Sequence, residues 1–223
     1  MSKNALLVVD MVKDFTDPEG LTFYPQNRVI LPFIKRVIDY FHATGQLVVF
    51  LRHSYRAGKF DRNLETMRPT CIEGTDGDEI DPMLPVFDQD YQVFKRRYSG
   101  FYGTDLDLIL RENAVDRVII VGTKTNCCIR ATATDSYNLN YETVVLADCV
   151  ATDSAEVNNV HLKDIDKYIG IVMDSEAFIR EDSAASNHVD SGRIGQTGSG
   201  ESLRDNSLPA NPDDSAPATL TVC

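Results

Sequence analysis

The chain has 223 residues, with 22 Lys and Arg against 34 Asp and Glu, for a formal net charge of −12. Its 43% apolar and 25% charged residues are ordinary for a soluble globular protein, and the length suits one domain with a sizeable core. Phosphate recognition needs clustered positive charge, and the longest basic cluster is Lys95-Arg96-Arg97. Nucleic acid and membrane surfaces are therefore excluded as expected partners.

The first residues lead into an apolar run at 5–9, too short for a secretory core or a membrane span and ended by Asp10. The protein reads as cytoplasmic. Five cysteines, at 71, 127, 128, 149 and 223, are an odd number without a C-x-x-C spacing. Free thiols in a reducing compartment are the simpler reading.

In chain order, residues 5–9 (ALLVV) read as a buried strand. Residues 29–44 place Val29, Ile30, Phe33, Ile34, Val37, Ile38 and Phe41 at helical spacing, and Gly45 closes that helix. Residues 46–51 form the second strand. The segment 52–90 carries Gly, Pro, Asp and Arg with little period, and a stretch of that length inside a domain is usually functional. A short strand at 92–94 follows, then a helix from 104 with a leucine face. A strand at 117–121, a helix at 126–139, a strand at 142–147 and a helix at 154–168 come next. A short strand at 170–172 and a helical turn or two at 175–179 complete the pattern. Strands alternating with helices predict an α/β fold: a three-layer, doubly wound, mostly parallel sheet of about six strands with helices on both faces. The domain is expected to cover 1–181. Beyond it, Ser, Asn, Asp, Gly and Pro dominate 182–223, which reads as a disordered tail ending at Cys223.

Open parallel sheets build their sites beyond the carboxyl ends of the strands. Asp10 ends the first strand, Lys95 ends the third, and Cys128 follows the strand at 117–121 where a helix begins. A cysteine in a first helical turn feels the positive dipole end, which favours thiolate. A nearby lysine lowers its pKa further, and a carboxylate can take its proton. Each residue alone also has a plain explanation: a turn aspartate, a solvated lysine, a small buried cysteine. Spacing leaves both readings open.

Four segments carry a resemblance: LLVVDMVKDF at 6–15, PTCIEGTDGDEI at 69–80, VFKRRYSGFYGTDLDLILREN at 93–113, and VGTKTNCCIRATATDSYNLNYETVVLADCVATDS at 121–154. In this order they resemble the isochorismatase-like cysteine hydrolases, a family that includes nicotinamidases, carbamoylsarcosine and ureidoacrylate amidohydrolases, and isochorismatases. The resemblance implies Asp10 as general base, Lys95 as its charged partner and Cys128, not Cys127, as nucleophile. It also implies a cis peptide at Thr123–Lys124, with the amides of Lys124 and Cys128 holding the substrate oxyanion, and Phe15 against the substrate. The implied activity is hydrolysis of a C–N amide or ureido bond of a small molecule through a thioester, without an organic or redox cofactor. A homo-oligomer, dimer or tetramer, is the implied assembly.

The sequence departs from the metal-dependent nicotinamidases, which carry Asp-x-His after the second strand. Here His53 stands in the Asp position and Tyr55 in the His position, so no metal is expected. Arg52 and Arg56 are candidates to hold a substrate carboxylate, and His53 and Tyr55 to touch substrate. Vinyl ether hydrolysis of the isochorismatase type is the alternative, because it needs the aspartate without the cysteine. A non-catalytic binding protein on the same fold is the second alternative.

Overall fold

The structure is a computed structural model that describes residues 3–66 and 68–193, with side chains described as far as residue 185. Six strands form one sheet in the order β3-β2-β1-β4-β5-β6: β1 (Asn4–Val9), β2 (Leu47–His53), β3 (Tyr91–Lys95), β4 (Arg117–Thr123), β5 (Glu142–Ala151) and β6 (Ile171–Met173). Every neighbouring pair is parallel. The helices are α1 (Lys13–Thr16), α2 (Pro25–Ala43), α3 (Leu106–Glu112), α4 (Arg130–Asn138), α5 (Ala155–Tyr168) and α6 (Ser175–Arg193). The expected three-layer, doubly wound sheet is what the chain forms.

Alternation along β1 shows how the layers arise. Leu6 and Val8 join a core built with α2 and Phe178 of α6, whereas Ala5, Leu7 and Val9 join a second core with Leu106, Leu110, Ile129, Ala133 and Ile165. A strand buried on both faces has no polar side to show, which is why residues 5–9 are apolar without a break. Pro25 occupies the first turn of α2, where its missing N–H costs nothing. The buried stripe of α2 is Ile30, Leu31, Ile34, Val37, Ile38 and Phe41. Val29 and Phe33, expected on that face, are exposed, and Leu31 takes their place. Ser154 caps α5 by accepting from the Val157 amide.

Two boundaries differ from expectation. The strand expected at 142–147 continues to Ala151, with a register shift between Ile120 and Gly122 against β4. The expected boundary at 181 falls inside a helix, α6, which runs from Ser175 through Arg193. Asp182 explains this, because it accepts from Asn4 Nδ2 (2.7 Å), Tyr40 Oη (2.7 Å) and Gln46 Nε2 (2.8 Å). A composition argument that counts apolar burial does not register a helix held by polar bonds. The remainder of the expected tail, 194–223, lies outside the described residues.

The strand order reverses direction at β1. The chain passes from β1 outward through β2 to β3, then returns to the other side of β1 as β4. Such a switch point opens a crevice at the carboxyl ends of the two strands that flank it, here β1 and β4.

Candidate active site

The carboxyl ends of β1, β3 and β4 bring Asp10, Lys95 and Cys128 together. Asp10 directly follows β1, and its backbone lies in the left-handed region at φ 56°, its amide donating to Leu51 O at 2.8 Å. Aspartate tolerates that region better than most residues, and such conformations gather at functional sites. Across the seam, Gly122 has φ 116° and pairs with Val9, and a Cβ there would stand 2.0 Å from Val9 O. Only glycine lets β4 approach the end of β1 this closely. The peptide Thr123–Lys124 is cis.

Lys95 is wholly buried, and its ammonium has three acceptors: Asp10 Oδ2 at 2.7 Å, Arg97 O at 3.2 Å and His53 Nδ1 at 3.3 Å. An ammonium has three protons to give, and the Cys128 sulfur stands against it as well. Because Lys95 only donates, His53 Nδ1 must accept, which puts the imidazole proton on Nε2. Burial pushes the His53 pKa down to about 4, with the Lys95 charge helping and Asp10 opposing. Burial also works against the Lys95 charge, but Asp10 and the Cys128 sulfur outweigh it and hold that lysine above its ordinary value.

The Cys128 thiol sits against both the Asp10 carboxylate and the Lys95 ammonium. Asp10 Oδ1 is buried without a partner of regular hydrogen-bond geometry, which leaves it free to receive a proton. The expectation of a thiolate favoured by helix and lysine is corrected here. Burial first, and then Asp10, push the Cys128 pKa up, with Lys95 opposing. The positive charge of Lys95 is already met by Asp10, so the pair has little net charge to offer a thiolate. Nor does Cys128 sit in a first α-helical turn. Residues Thr125–Ile129 form a π-helical turn that runs directly into α4.

A cavity of about 180 Å³ opens beside these groups. Of the expected substrate contacts, Phe15, His53 and Tyr55 line it, together with Asp10, Thr123, Lys124 and Cys128. Arg52 and Arg56 do not. They line a separate, open groove of about 650 Å³. Side chains alternate along β2, so Arg52 and His53 leave opposite faces. Arg52 is also engaged, donating to Asp78 O at 2.6 and 2.9 Å and to Gln92 Oε1 at 2.9 Å. The sequence reading missed Thr22, Tyr24, Thr70, Tyr98 and Cys127 on the cavity wall. Thr70 and Tyr98 lie inside the quoted motifs, where their presence was legible but their direction was not.

Asp10, His53 and Cys128 offer three metal-binding atoms within 4.8 Å of one another. The Lys95 ammonium, however, already bonds both Asp10 and His53 at that place. A fixed cation amid the donor set is a poor fit for a metal ion, and no chemical step here is routed through one.

A family model for the isochorismatase domain matches residues 4–177. The chain belongs to the isochorismatase family. Among curated relatives, a probable inactive nicotinamidase of Arabidopsis thaliana is 33% identical, over 75% of this chain and 89% of its own. The ureidoacrylate amidohydrolase RutB of Acinetobacter baylyi is 28% identical, over 79% and 82%. Among solved structures, a cysteine hydrolase from Pseudomonas syringae pv. phaseolicola superposes with a TM-score of 0.78 at 29% identity, covering 82% of this chain and 93% of that one. This isochorismatase-family hydrolase thus has amidohydrolases among its relatives. Among its described residues no helix is long and apolar enough to cross a membrane.

Proposed function

We propose that the protein is a cysteine amidohydrolase that cleaves a C–N amide or ureido bond of a small molecule, with Cys128 as nucleophile, Asp10 as general base and Lys95 as the charge that steadies both. The observation that carries this reading is the junction itself: a buried Lys95–Asp10 pair at 2.7 Å with a thiol against it, facing a cavity. A cavity of about 180 Å³ is below the range of roughly 300–1,000 Å³ that suits drug-sized ligands, which favours a small substrate.

The thiol remains protonated until a substrate carbonyl arrives. Asp10 Oδ1 then takes the proton as the sulfur attacks the carbonyl carbon. The resulting oxyanion is held by the Lys124 and Cys128 amides. Collapse expels the amine or ammonia, which takes the proton back from Asp10 and leaves a thioester. Asp10 next deprotonates water, which hydrolyses the thioester and returns the proton to sulfur. Every proton moves through one carboxylate, beside which the Lys95 ammonium stands at 2.7 Å. The retained cysteine favours this reaction over vinyl ether hydrolysis, which needs the acid alone.

Ammonia release from a panel of small carboxamides and ureido compounds tests the reading, with isochorismate as the competing substrate. Cys128→Ala is expected to abolish release, by about 10⁴-fold or more, while circular dichroism and melting stay near those of the parent. Near-normal turnover in that variant would refute the mechanism.

A further inference from the structure

Asp14 is a buried carboxylate that the proposed reaction does not use. Its Oδ1 accepts from the Leu21 amide at 3.2 Å, and its Oδ2 accepts from the Cys71 amide at 2.6 Å and the Thr70 hydroxyl at 2.9 Å. Gly77 packs directly on it, since a Cβ there would stand 2.4 Å from the carboxylate. Thr70 Oγ1 lies 2.9 Å from Thr22 Oγ1, and both threonines line the cavity that holds Cys128.

The proton count along this chain is constrained. Each hydroxyl has one proton and two lone pairs. A carboxylate whose two oxygens both face N–H donors takes the Thr70 proton rather than giving one. Thr70 Oγ1 is then an acceptor toward Thr22, whose proton goes to it at 2.9 Å or to Asp14 O at 3.4 Å. Either way the Thr22 proton points away from the cavity, and lone pairs face it. The two ammonium groups near the cavity are engaged. Lys95 has its three acceptors, and Lys124 Nζ lies 2.9 Å from Asp153 Oδ2 and over the Tyr24 ring.

We infer that the Asp14–Thr70–Thr22 chain makes this stretch of the cavity wall a hydrogen-bond acceptor, so that the ligand carries an N–H or O–H donor, not a carboxylate, on the end that meets it. The inference rests on the proposed reading that this cavity binds substrate, and it narrows the substrate class to neutral amides or ureido compounds with a donor tail. An anionic tail would set its oxygens against the threonine lone pairs, while Lys124 is drawn toward Asp153 rather than toward this stretch of the wall.

Three ureido probes of similar size test it: 2-hydroxyethylurea with a donor tail, N-carbamoylglycine with a carboxylate tail, and propylurea with an apolar tail. Binding is read by calorimetric titration on the Cys128→Ala chain, and turnover separately by ammonia release on the unaltered chain. The hydroxyl probe is expected to bind about tenfold tighter than the carboxylate and several-fold tighter than propylurea. Adding Thr22→Val removes its advantage over propylurea, and Thr22→Ser restores it. Equal affinities, tighter binding of the carboxylate, or binding of none of the three overturns the inference. Ammonia release from none of them, with the hydroxyl probe still preferred in titration, sinks the hydrolase reading and leaves the cavity's polarity standing.

Discussion

Lys95 holds the site together by meeting Asp10, His53, Arg97 O and the Cys128 sulfur at one ammonium. Substituting methionine keeps its length and apolar stem but leaves Asp10 buried and unpaired. Lys95→Met is expected to cost about 3–5 kcal/mol in urea denaturation, part of which the double variant with Asp10→Asn should recover. A loss near zero would mean the pair is solvated. His53 makes a separate pH prediction. Its pKa is pushed down to about 4 in the fold and is near 6.5 in the open chain. As pH falls through that window the unfolded chain takes a proton that the folded chain does not. Stability therefore drops from about pH 6.5 to about 4 and levels off below, by about 3 kcal/mol in total. His53→Asn keeps an acceptor toward Lys95 without the titration, so its denaturation midpoint should lose that share of the slope. Superimposable pH curves for the two chains would show that the histidine titrates alike in the folded and the open chain. At this scale the sequence named Asp10, Lys95 and Cys128 but misjudged the sulfur. The thiol's pKa depends on how far burial and the Asp10 charge outweigh the lysine, and neither is written in spacing.

At the scale of elements, the seam between β1 and β4 sets how close Asp10 and Cys128 come. Two glycines separate the contributions to that closeness. Gly74 has φ 78° with open space where a side chain would go, whereas Gly122 combines φ 116° with a backbone oxygen 2.0 Å from the added carbon. Gly74→Ala should cost only about 1 kcal/mol for its backbone strain. Gly122→Ala should cost at least about 2 kcal/mol and lower kcat/KM as well, because relieving the clash shifts the chain that carries Asp10. Melting and kinetics of the two variants side by side check this, and equal losses would remove β4's approach as the cause. Strand positions were legible because an apolar run between polar turns has few alternatives. The π-helical turn at Thr125–Ile129 was not, since no residue pattern distinguishes it from the start of an α-helix. The segment 52–90 was marked as functional for its length alone. It supplies Tyr55 and Thr70 to the cavity, but Arg52 and Arg56 to a different groove.

Across the whole molecule, the end of the described chain fastens onto its beginning. Asp182 joins Asn4 of β1, Tyr40 of α2 and Gln46 at the entry to β2, and Ser183 adds a bond to Tyr40 Oη at 3.2 Å. Asp182→Ala leaves these buried or half-buried groups short of an acceptor and is expected to cost about 1–3 kcal/mol. That corresponds to a melting shift of roughly 2–12 °C for a domain of this size, with KM unchanged. An unaltered melting temperature would mean that the Asp182 bonds contribute nothing to closing the sheet.

The sequence by itself determined the class of fold, the order of strands and helices, the family, and which three residues stand at the strand ends. Those follow from periodicity and from motifs read along one dimension. Only the tertiary structure decided which neighbours each side chain meets: the acceptors around Lys95, the burial that raises the Cys128 pKa, the threonine pair behind Asp14, and the separation of Arg52 from the cavity. The physical reason is that protonation, hydrogen-bond direction and desolvation depend on distances of a few ångströms between residues tens of positions apart, and the packing of the sheet's two faces sets those distances.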